Sequence, residues 1–112
     1  MTDSNSNNRE KFLQEAIQNH RSGNITKAKQ LYEKIIASFE NASHAHHNLS
    51  IIMRGEGDIA ATLYHLRQAR ELDPTVEQFW KSSFTALISA NQWKELLNVL
   101  ETALVHHQYN PT

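Results

Sequence analysis

His44-Ala45-His46-His47 is the stretch of this chain whose residue types come nearest to chemistry. His44 and His47 fall one helical turn apart on one face, the edge of a metal site, and His20 belongs to the helix before them. No carboxylate at matching spacing completes a tetrahedral set, so no metal is expected. His106-His107 close a helix, where a cation suits the dipole. Arg54-Gly55-Glu56-Gly57-Asp58 contains a G-x-G, but a phosphate loop needs a strand before it and a helix is expected there. Phe79 and Trp80 offer a stacking platform for a base or sugar. Their helical spacing with Phe84 and Leu87 points to core packing instead. No Ser/His/Asp grouping suggests a triad, and Asp58 and Asp73 sit where a helix cap and a helix stop explain them. The expected outcome is no catalytic residue, no metal and no cofactor.

The bulk properties are consistent with that. The chain has 112 residues, a formal net charge of −1 and no cysteine. One domain with a modest core is expected. Near-neutral charge gives no argument for nucleic acid. Disulfides and thiolate chemistry are excluded. No apolar run is long enough to span a membrane, and MTDSNSNNRE lacks the regions of a secretory signal. A cytoplasmic, non-enzymatic protein is the expectation.

Helices must position these residues. Residues 1–8 are expected to form a disordered polar tail, with structure starting near Arg9. Phe12, Leu13, Ala16 and Ile17 then fall at helical spacing. Gly23 closes that helix and Asn24 is placed to cap the next, which carries Ile25, Ala28, Leu31, Tyr32, Ile35 and Ile36. The plan recurs: Ser43 to Arg54, a break at Gly55-Glu56-Gly57, then Asp58 capping a helix with Ile59, Leu63, Leu66 and Ala69 on its core face. Asp73-Pro74 stops it. Thr75 and Gln78 have capping-box spacing and open a helix with Phe79, Trp80, Phe84, Leu87 and Ile88. Asn91 stands where glycine stood twice, and a last helix holds Trp93, Leu96, Leu97, Leu100, Ala103 and Leu104. Gly23, Gly57 and Asn91 lie 34 residues apart. Six helices in three antiparallel pairs, and no strands, are predicted.

With this period the chain resembles the tetratricopeptide repeat. Phe12 and Trp80 stand in its first aromatic column, with His46 in the middle unit. The small column reads Ala16, Ser50 and Phe84, the turn glycine Gly23, Gly57 and Asn91. The second-helix small column reads Ala28, Thr62 and Leu96. Tyr32, Leu66 and Leu100 follow, then Ile35, Ala69 and Ala103, and Pro74 closes the second unit. The resemblance covers residues 9–108 as repeats 9–42, 43–75 and 76–108, followed by a tail, 109–112. It implies an all-α, right-handed superhelical solenoid whose concave groove binds a peptide or protein segment.

In that family the first helix of each pair lines the groove. Mapped onto this chain, the partner-binding residues are Leu13, Ile17, His20, Arg21, His44, His47, Asn48, Ile51, Arg54, Gln78, Lys81 and Thr85. Arg21, Arg54 and Lys81 give a positive bias, so acidic or mixed acidic–apolar segments are the expected partners. The lysine–asparagine clamp of chaperone-tail binders is matched only by Asn48. The run LDPTVEQFWKSSFTALISANQWKELLNVLETA also looks like repeats that precede some bacterial glycosyltransferase or sulfotransferase domains, which is the alternative reading. Trp93, Leu97 and Leu104 fall in columns that pack against a following unit. They imply either a homodimer through the last helix or a longer native chain.

Overall fold

A helix that must reverse within three residues needs one residue at positive φ and a way to satisfy its last carbonyls. This sequence meets both needs three times. In the computed structural model, which describes residues 2–107, Gly23, Gly57 and Asn91 have φ of 85°, 80° and 58°. Gly23 N–H donates to His20 O and Asn24 N–H to Asn19 O; Gly57 pairs with Arg54 and Asp58 with Met53; Asn91 pairs with Ile88 and Gln92 with Leu87. All three are the same double closure, in which the second donor residue also starts the next helix. Ala28, Thr62 and Leu96 N–H groups bond back to Asn24, Asp58 and Gln92.

Between these closures lie six helices: α1 Thr2–Arg21, α2 Ile25–Ser38, α3 Ser43–Gly55, α4 Ile59–Leu72, α5 Glu77–Ser89 and α6 Trp93–His107. Among the described residues there is no strand. Each helix packs chiefly on its neighbours in sequence, and together they form a compact globule of 39 × 35 × 24 Å.

Three local expectations need correction. First, α1 begins at Thr2, not near Arg9, so residues 2–8 of the expected tail continue the helix. Once a helix is nucleated each added residue gains a backbone bond. Residues 108–112, with the expected second tail, lie outside the described residues. Second, Asn24 makes no side-chain cap; its amide donates to Asn19 Oδ1 at 3.4 Å. Asp58 does cap, accepting from Ala61 N–H at 3.0 Å. Third, the capping box at Thr75 and Gln78 does not form. Thr75 Oγ1 donates to Asp73 Oδ1 at 2.7 Å, Gln78 donates to Ser82, and Val76 occupies the cap position. The nearby charged acceptor outcompetes the helix end for the threonine hydroxyl.

Burial follows the periodicity with one gradient along the chain. Ala16, Ala28, Leu31, Tyr32, Ile35, Ala45, Leu49 and Ile52 form one apolar cluster across α1, α2 and α3. Trp80, Leu87 and Val99 form a second, smaller one, against which Leu63, Phe84, Leu96 and Ala103 pack. Ile59, expected on the core face of α4, is exposed. The loosening is greatest at α6. Tyr32 and Leu66 are 0% and 2% exposed, whereas their counterpart Leu100 is 38% exposed. The cause lies in the two small columns. Where the first two pairs place Ala16 with Ala28 and Ser50 with Thr62, the third has Phe84 with Leu96. Larger side chains at the closest approach hold α6 away from α5.

Trp80 anchors the third pair. It is 3% exposed, its Nε1–H donates to Pro74 O at 2.8 Å, and the Arg70 guanidinium lies 5.6 Å from its ring. Trp80→Ala should therefore lower unfolding free energy by roughly 3–5 kcal/mol. Urea denaturation checks this, and a loss under about 1 kcal/mol would contradict the anchoring role.

Candidate functional site

The expected groove residues come from α1, α3 and α5, and contacts between these helices decide which of them meet. Arg9, Glu10 and Leu13 of α1 share a shallow cleft of about 50 Å³ with Asn41, Ala42 and His44. His44 and His47 of α3 both pack on Phe79 of α5, with ring centroids 5.2 and 5.1 Å away. Farther along, Arg54 donates to Ser89 Oγ at 3.0 Å. The first helices of the three pairs thus lie side by side, α3 between the other two.

His20, Arg21 and Asn48 gather around the buried Tyr32 hydroxyl. The His20 ring packs edge-on against Tyr32, with Nδ1 3.5 Å from the hydroxyl. Burial raises the Tyr32 pKa, and Asn48 and Arg21 partly offset this. Leu13 and Ile17 are half-buried, whereas Ile51, Gln78, Lys81 and Thr85 are exposed. The three expected cations have separate surroundings: Arg21 beside Tyr32, Arg54 on Ser89, and Lys81 paired with Glu77 on its own helix at 3.4 Å. They stand on three different helices.

His47 departs furthest from its expected role. It is buried, and its Nε2 lies 2.8 Å from the Ser82 hydroxyl, to whose oxygen Gln78 Nε2 also donates. Burial lowers its pKa, Asn48 opposes this, and the His44 charge adds to it. A serine hydroxyl within hydrogen-bond distance of an imidazole is the first half of a nucleophile–base arrangement. Among the described residues no carboxylate bonds to His47 to orient it as a base. The pair therefore serves as a tie between α3 and α5. Among the described residues, no group of three His, Cys, Asp or Glu is placed to hold a metal. His44 stays exposed over Phe79 while His47 turns into the α3–α5 interface, so the metal edge suggested by their spacing is not formed.

Two features were not read from the sequence. On α3 and α4, His46 Nδ1 and His65 Nδ1 are 3.0 Å apart, and Tyr64 packs edge-on against both rings. One nitrogen must donate and the other accept, so the contact is incompatible with two imidazolium ions. Burial, and then the His65 charge, push the His46 pKa down to about 4. Burial also lowers that of His65, against the carboxylates of Glu33 and Asp58. Histidine in an aromatic column was the only sequence signal; its partner lies in another helix. The second feature is a cleft of about 470 Å³ where Arg70 meets Trp80, Glu71, Glu95 and His106. Arg70 donates to Ser83 Oγ at 2.7 Å, and Arg67 and Arg70 face Glu71 and Glu95 in the lining, which leaves the cleft charge-balanced.

No protein-family model matches the chain, and no curated protein matches it. Among the described residues no helix is long and apolar enough to cross a membrane.

The histidine pair makes stability depend on pH. The folded chain holds His46 neutral down to about pH 4, while the unfolded chain takes up that proton near pH 6.5. The contribution is complete above pH 6.5 and is lost as pH falls towards 4, by about 3 kcal/mol. Lowered pKa values at His65 and His47 act in the same direction. His46→Phe should flatten the fall in urea midpoint between pH 7 and 4.5; an unchanged slope would exclude this origin.

Proposed function

We propose that the chain is a tetratricopeptide-type repeat scaffold, a right-handed solenoid of three antiparallel pairs, with no chemistry of its own. Its task is to bind an acidic or mixed acidic–apolar protein segment along the row formed by α1, α3 and α5. The observation that carries the reading is the recurrence of one helix closure every 34 residues. It sets three first helices side by side and leaves Arg21, Ile51, Arg54 and Lys81 at the surface. Repeated helix pairs use such a face as an extended binding surface. The exposed Ile51, one turn before Arg54 on α3, suits a segment that combines apolar and acidic residues. Separate cations suit an extended ligand better than a single carboxylate.

The histidines play a smaller part in this reading than the sequence implies. Burial lowers the His47 pKa, so mild acid recruits less charge from it than from an exposed histidine.

The test is fluorescence polarisation with labelled peptides of acidic–apolar composition. Arg21→Glu with Arg54→Glu should weaken binding about tenfold, since each reversal replaces attraction by repulsion at an exposed site. Salt should weaken the wild-type complex too, because exposed charges are screened beyond about 8–10 Å. Equal affinity for the double variant, with helix content unchanged, would rule out this row as the binding face.

A further inference from the structure

The exposed face of α6 is patterned for another helix. Trp93, Leu97, Leu100 and Leu104 are spaced four, three and four residues apart. That is the alternation of a coiled-coil seam, not the broader stripe of a helix lying on a globular core. Three of the four are among the most exposed large apolar residues of the protein: Trp93 at 55%, Leu97 at 61% and Leu104 at 52%. The inner side of α6 is already used, with Val99 buried and Leu96 and Ala103 packed beside it. On the other flank of the seam stand Lys94 and Glu101, one heptad apart and both exposed.

The charges select the occupant and its direction. Residues flanking a seam form the interhelical ion pairs that set partner and orientation. If a second copy of α6 lies antiparallel about a two-fold axis between Leu97 and Leu100, Leu97 meets the other copy's Leu100 and Trp93 its Leu104. Lys94 then lies opposite Glu101 of the second copy, and Glu101 opposite its Lys94. A parallel pair would set Lys94 and Glu101 against Leu96 and Ala103, with no charge to match. We propose that the chain forms a two-fold homodimer through antiparallel α6 helices, with reciprocal Lys94–Glu101 pairs at the rim. Such an interface is self-complementary, as a closed dimer requires. It also gives one assembly two copies of the proposed binding face.

Charge reversal with complementation tests both the partner and the orientation. Light scattering across a concentration series should give a dimer for the wild-type chain. Lys94→Glu or Glu101→Lys alone puts like charges opposite each other at both rim positions. Each should raise the dimer Kd about tenfold. Mixing these two variants in equal amounts should restore dimers, because each supplies the charge the other lacks. Lys94→Glu combined with Glu101→Lys in one chain should dimerise like the wild type. Leu97→Lys with Leu104→Lys should give monomers of unchanged helix content. A wild-type chain that stays monomeric at millimolar concentration overturns the proposal, as does failure of the mixed variants to recover dimers.

Discussion

Everything in this molecule depends on reversing a helix within three residues. At Gly23, Gly57 and Asn91 the chain goes left-handed for one residue, and the next N–H reaches back five residues to close the helix. A left-handed residue is costly for most side chains and cheap for glycine or asparagine, which is why the position is restricted. Because closure and restart share a residue, each pair must turn straight back on itself. The spacing of closures then fixes which residues of successive helices face one another, and the rows along α1, α3 and α5 follow from it.

What fills the space between helices is less uniform than the turns. The apolar cluster of the first three helices gives way, around α3, α4 and the start of α5, to buried polar groups: His46, His47, Ser50, Thr62 and Ser83. Each has a directional partner, in His65, Ser82, the His47 carbonyl, the Asp58 carbonyl, and Phe79 with Arg70. Satisfied polar contacts of this kind add little net stability, but they tolerate few arrangements. The middle of the protein is held in register by geometry more than by apolar area.

The turns, the helix limits after α1 and most of the buried positions were legible in the sequence. They depend on local rules: positive φ at particular residues, 3.6-residue periodicity, proline at a stop. Ala16, Tyr32, Leu66, Ala69 and Trp80 lie where that periodicity puts them. The errors arose where a side chain had a choice of partners. Asn24 and Thr75 have the chemistry of caps, but Asn19 and Asp73 lie closer in space. His47 looked like a surface residue until Ser82, thirty-five positions away, was placed against it. The pairing of His46 with His65 could not be read because it needs the angle between two helices, which the turn permits but does not name. Phe84 was legible as a misfit; how far it displaces α6 was not.

That displacement gives the molecule a direction. A stack whose units bury unequal amounts does not open all at once; its weakest end samples detached states while the remainder stays closed. With a large core under α1, α2 and α3 and, among the described residues, only Val99 buried on α6, amide protons of the last helix should be the first to trade with solvent in the monomer. Synthesis runs the same way. The N-terminal pairs emerge first and carry the stronger core, so they can serve as the template on which the last pair settles.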